Sequence, residues 1–152
     1  MQWFTDLITN PFIIAGTSSW LIAQIIKTII YGVLNHTFRA ERLVGDGGMP
    51  SGHSATVTGL AMMCLLRCGP ASVEFAIALI FAIVVCHDAS GIRREAGKQA
   101  ALLNDIVDIL ESKELPEVKL KKFVGHTPIQ VMAGIIIGVC NAFFMYWLFY
   151  IV

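Results

Sequence analysis

The chain has 152 residues, 56% of them apolar and only 14% charged, and its 11 basic residues balance 11 acidic ones. Soluble domains run at about 45–50% apolar and about 25% charged, so the composition favours a membrane protein. Zero net charge leaves no electrostatic case for a nucleic-acid partner, and the length suits one domain over residues 1–152 with no room for a second.

The N-terminus, "MQWFTD", has no basic residue before its apolar run, which argues against a cleaved secretory signal. A first membrane span runs from about Pro11 to Leu34. It carries Lys27 about two turns, or about 11 Å, before its end. A charged group at that depth is costly and points to function; the plainer reading is a lysine snorkelling to the interface. A polar stretch from Asn35 to Pro50 follows and ends in "GGMPSGHSA", residues 47 to 55. Proline favours the first position of a helix. A helix opening at Pro50 puts Ser51, Gly52 and His53 on its first turn, where unpaired N–H groups attract phosphate.

The second span runs from about Ser51 to Cys68 and the third from about Ala71 to His87, both near the short limit of about 17 residues. The tight turn "RCGPAS" joins them, with Arg67 and Glu74 at the interface. From Asp88 to Thr127 the chain is polar again. There "IRREAGKQAALLNDIVDIL" alternates with helical period, Ile92, Ala96, Ala100, Leu103, Val107 and Leu110 against Arg94, Lys98, Asp105 and Asp108. This predicts an amphipathic helix on the bundle or membrane surface, followed by a charged connector, "SKELPEVKLKK". The fourth span runs from about Pro128 to Val152. Its Gly134-x-x-x-Gly138 suits close helix packing, within the bundle or at a homodimer face. Cys64, Cys68, Cys86 and Cys140 lie in apolar segments without zinc-site spacing and read as packing thiols. The fold expected is all-α: an integral membrane four-helix bundle with an amphipathic cytoplasmic helix between spans three and four.

Four spans put both polar stretches on one side. Arg39, Arg42, Arg93, Arg94, Lys98, Lys113, Lys119, Lys121 and Lys122 are there, and Arg67 lies opposite. The positive-inside rule makes that side cytoplasmic and both termini external, in the cell membrane. His53, Asp88, Arg93, Arg94 and His126 gather there too. Either histidine alone reads most simply as a cap or a hydrogen-bonding residue. Together they can divide the work of phosphoryl transfer, one imidazole attacking phosphorus and the other protonating the leaving oxygen. Arginine and lysine would neutralise the moving charge, with no metal required. Asp88, Asp105 and Asp108 are potential Mg²⁺ ligands, though acids on an exposed helix face are ordinarily solvated. No cofactor is expected.

"PSGHSA" with "GHTPIQVMAG" resembles the type-2 phosphatidic acid phosphatase superfamily, relatives of the vanadium haloperoxidases. "HDASGIRREAGKQAALLND" resembles its small divergent membrane branch, in which phosphatidylglycerophosphate phosphatases occur. The likeness runs from about Lys27 to Gly138. It implies His126 as the nucleophile forming a phosphohistidine and His53 as the acid that protonates the departing alcohol. It also implies that Ser51 and the Gly52 N–H bind phosphate and that Lys27 is the lysine of the first motif. Three positions depart from the pattern. Leu34 stands for the first-motif arginine, with Arg39 and Arg42 nearby. Leu120 stands for the third-motif arginine, which makes Arg93 and Arg94 the candidates. Gln130 replaces the acid that orients the nucleophile, a role open to Asp88, Asp105 or Asp108. The expected activity is a lipid-phosphate phosphomonoesterase, first on phosphatidylglycerophosphate and otherwise on phosphatidate or an isoprenyl phosphate. A lipid-phosphate binding or transport module and a purely structural membrane protein are the alternatives.

Overall fold

In a computed structural model of the protein, the residues described are 1–36, 48–91, 99, 102, 103, 106 and 127–152. Their regular structure is helical throughout: α1 (Gln2–Ile8), α2 (Pro11–Asn35), α3 (Gly52–Cys68), α4 (Val73–Ser90) and α5 (Pro128–Tyr150).

Three of the long helices open on a residue whose side chain accepts from an otherwise unpaired N–H. Asn10 Oδ1 accepts from Phe12 N at 2.9 Å and Ile13 N at 3.4 Å, with Pro11 as the first helical residue of α2. Ser51 Oγ accepts from Ser54 N at 3.3 Å, and Ser72 Oγ from Phe75 N at 3.2 Å. Thr127 precedes Pro128 and caps α5. Gly69, at φ +85°, ends α3 by donating its N–H to Leu65 O at 3.1 Å, a backbone conformation that suits only glycine without strain.

α2, α4 and α5 are long and apolar enough to cross a membrane. The remaining span expected from the sequence, the second, is α3, which has 17 residues and covers about 26 Å, short of the roughly 30 Å hydrocarbon core. It is the central helix, packed against α2, α4 and α5. Nothing from Ser54 to Leu66 is exposed. Shielded by protein, α3 can carry the Gly, Ser and Thr residues that lower its hydropathy. α3 and α4, joined by a short turn, line one groove together, with Thr58 and Leu65 from α3 and Phe75 and Cys86 from α4. Between them Val57, Ala61 and Cys64 meet Ala78 and Ala82.

The buried face of α2 is made of small and polar residues, Ala15, Gly16, Ser19, Ala23, Gln24, Lys27 and Thr28. Its large apolar residues, including Leu21, Ile25, Ile29 and Val33, face outward. Helices in lipid associate in this way, through small residues and interhelical hydrogen bonds. Asn141 of α5 supplies the latter, its Nδ2 lying 2.8 Å from Ser18 Oγ, 2.9 Å from Ser19 Oγ and 3.2 Å from Ala15 O.

Gly134 and Gly138 answer the packing question within the chain. A Cβ at Gly134 would meet Ser51 O, and one at Gly138 would lie 2.5 Å from Ala55 O and 2.8 Å from Gly59 N. That glycine face is occupied by α3.

Two local expectations change. α3 begins at Gly52 with Ser51 as its cap, so Pro50 precedes the helix and does not open it. The serine hydroxyl can pair an N–H of the first turn, which proline cannot do. α1 is an addition, a seven-residue helix with no buried residue and with Trp3 and Phe4 exposed. Of the predicted amphipathic helix, Gln99, Leu102, Leu103 and Ile106 are helical and exposed; its remaining residues lie outside those described.

Candidate functional site

Two helix starts and one buried lysine converge at a single end of the protein. The Ser51 N–H donates to Gln130 O at 3.0 Å, a backbone bond that ties the entry of α3 to the first turn of α5. Lys27, buried on α2, completes the group. Gly48 is at φ +90°, and a Cβ there would stand 3.3 Å from Lys27 Cγ. The glycine loop thus lies directly on the lysine stem.

The first turn of α3 is set by close approach. A Cβ on Gly52 would come within 3.2 Å of Trp20 Cδ1 and 4.0 Å of Gln24 Cδ, so α2 supports the turn from beneath. Ser51 and Ser54 are fully buried, and Ser54 Oγ donates to Ser51 Oγ at 2.9 Å. Ser51 is therefore engaged in the cap, inside the protein. Ser54 N–H and Ala55 N–H are paired with Ser51. The Gly52 and His53 N–H groups have no partner among the described residues. The His53 side chain is exposed on that same turn. Two unpaired amides at a helix start, with the helix dipole behind them, are the donor arrangement that an anion would need, and make this turn the candidate anion seat.

On α5, Gln130 Oε1 accepts from Thr127 N at 2.9 Å. It is the third helical residue reaching back to the cap. Asp88 is half-buried in the last turn of α4 and is engaged. Of the residues proposed from the sequence, Lys27, Ser51, Gly52, His53 and Gln130 are thus brought to one end. His126, Arg39, Arg42, Arg93, Arg94, Asp105 and Asp108 lie outside the described residues. Sequence reasoning missed Gln24, which is 4% exposed with its Oε1 unpartnered among the described residues. Its signal was the interval of three from Lys27, one helical turn, on the same face of an apolar helix.

Comparison with known proteins agrees with this architecture. The chain is 35% identical over 146 residues to the uncharacterized membrane protein YuiD of Bacillus subtilis (strain 168), an alignment covering 88% of this chain and 92% of that one. No solved structure matches. The profile of the divergent PAP2 family matches residues 8–141, which span α2 through most of α5 and hold both helix starts at the anion seat. The protein is a multi-pass membrane protein that belongs to the divergent PAP2 family.

Proposed function

We propose that the protein is a lipid-phosphate phosphomonoesterase working at the cytoplasmic leaflet of the cell membrane through a phosphohistidine, with phosphatidylglycerophosphate as its first candidate substrate. The observation that carries this reading is the Ser51 N–H to Gln130 O bond of 3.0 Å. It joins the turn bearing His53 to the segment that directly follows His126 in sequence.

In this mechanism the phosphate rests on the Gly52 and His53 N–H groups, with Lys27 and arginines among Arg39, Arg42, Arg93 and Arg94 neutralising its oxygens. Ser51 holds the turn that presents those amides. A neutral His126 nitrogen attacks phosphorus, and the bond from phosphorus to the glycerol oxygen breaks. His53, as imidazolium, gives its proton to that oxygen. Water then attacks the phosphohistidine while His53 takes its proton, which releases inorganic phosphate and restores both imidazoles. No metal is required.

The test is phosphate release from a panel of lipid phosphates by the purified protein in detergent. Phosphatidylglycerophosphate should be hydrolysed fastest, and His126→Ala and His53→Ala should each lower turnover by about 10³-fold or more. Tight binding of the lipids without release would overturn the enzymatic reading and leave a lipid-phosphate binding or transport module. The Gln130 amide, held at the cap of α5, is the feature that favours that second reading.

A further inference from the structure

The anion seat has a floor that the proposed mechanism does not use. Gln24 lies one turn before Lys27 on the buried face of α2, 4% exposed, with its Cδ 4.0 Å from where a Cβ on Gly52 would stand. Its Oε1 is buried and has no hydrogen-bond partner among the described residues. Buried acceptors are almost always paired. An unpaired one, on a side chain that reaches beside a helix start whose own unpaired groups are N–H donors, is complementary to a ligand that brings a proton of its own.

We infer that Gln24 is a specificity-determining residue: its Oε1 accepts a hydrogen bond from a P–O–H group, so the seat selects phosphate monoesters over diesters. The inference rests on the phosphomonoester reading above. A monoester has a second pKa of about 6, so about half of it at pH 6 and about a tenth at pH 7 carries one proton on a phosphorus-bound oxygen. That form satisfies both halves of the seat. Its charged oxygens accept from the Gly52 and His53 amides, and its P–O–H donates to Gln24.

A phosphodiester has no such proton near neutral pH. Seated in the same place, it would leave Oε1 facing an oxygen lone pair, unpaired and repelled. Diester headgroups surround a membrane enzyme in great excess, so a rejection element at the floor of the seat has a clear purpose. A site built to receive a hydrogen bond discriminates strongly against an analogue that cannot make it. For one neutral acceptor, the expected factor is about ten- to a hundredfold.

Inorganic phosphate and sulfate test the idea without lipid or turnover. They match in size and shape, but sulfate carries no proton at about pH 6, where phosphate carries two. Calorimetric titration of the full chain in detergent should show phosphate binding at least about tenfold more tightly than sulfate. Gln24→Met, close in length and without the acceptor, should weaken phosphate binding by about tenfold and leave sulfate binding equal or stronger, removing the preference. Equal affinities in the unaltered protein would overturn the inference whether or not the variant folds. An equal loss of both anions in Gln24→Met would overturn it too, by making Gln24 a general support of the turn. If the unaltered protein binds neither anion, the seat itself fails, and the reading of the site fails with it.

Discussion

Gln130 shows how one residue answers two demands. The phosphatase pattern that the sequence resembles has an acid at this position, expected to orient the nucleophile. The side chain instead reaches back, with Oε1 2.9 Å from Thr127 N. It therefore has a structural use whatever it contributes to chemistry, and the two can be separated. Gln130→Ala removes the acceptor and should lower stability by about 1 kcal/mol, the usual worth of a cap interaction, seen as a lower unfolding temperature in detergent. Gln130→Glu keeps the acceptor and adds a negative charge at the positive end of a helix, a gain of about 0.3–1 kcal/mol. Its unfolding temperature should match or exceed that of the parent. If a carboxylate here also orients the proposed nucleophile, turnover rises in the same variant. Unchanged or lower turnover at full stability would place the orienting acid elsewhere.

At the scale of elements, α2, α4 and α5 were legible because long apolar runs between turn residues have one simple reading in a membrane. Their observed limits fall within three residues of those expected. α3 was legible as a helix but not as the central one: burial by neighbouring helices, unlike lipid exposure, leaves no simple trace in hydropathy. The buried amides Gln24 and Asn141 were silent for a related reason. A neutral polar residue in an apolar run draws less notice than Lys27, and its meaning depends on which helix it faces. The Gly134 and Gly138 pair was legible as a close-packing motif, and only coordinates could name α3 as its partner. Because the atoms facing Gly138 are backbone, Ala55 O and Gly59 N, they cannot yield as a side chain would. Gly138→Ala should force α3 and α5 apart and cost about 1–3 kcal/mol. Since the same helix pair carries the Ser51 to Gln130 bond, phosphate affinity should fall with it. Gly32→Ala is the matched control, since nothing lies within 4 Å of its would-be Cβ. Replacing a helical glycine in open space should be neutral or stabilise by up to about 1 kcal/mol. Equal unfolding temperatures for the two variants would refute the close-packing account.

The molecule as a whole is polarised along its helices. One end gathers the starts of α3 and α5, the Lys27 stem and the glycine loop. The other has the turn through Gly69 and Pro70, Arg67 with its guanidinium carbon 4.3 Å over the Tyr150 ring, and Tyr146 tilted against Tyr150 with ring centroids 5.2 Å apart. Aromatic residues and a snorkelling arginine are the usual furniture of a membrane–water interface, so this end is suited to sit at headgroup level. The choice of leaflet then falls to charge. The polar stretches after α2 and α4 hold nine of the basic residues, while the turn between α3 and α4 has Arg67 alone beside it. On the proposed reading, the positive-inside rule turns the candidate seat toward the cytoplasm. Single cysteines in an otherwise cysteine-free chain can read this out with a membrane-impermeant maleimide on spheroplasts. Ala71 and Gln99 are both exposed, so reactivity at either depends on the side of the membrane and not on burial in the protein. Ala71→Cys should label in intact spheroplasts, and Gln99→Cys only after the membrane is opened. The reverse pattern would turn the molecule over and put the seat outside, where a substrate made at the inner leaflet could not reach it without first crossing the bilayer.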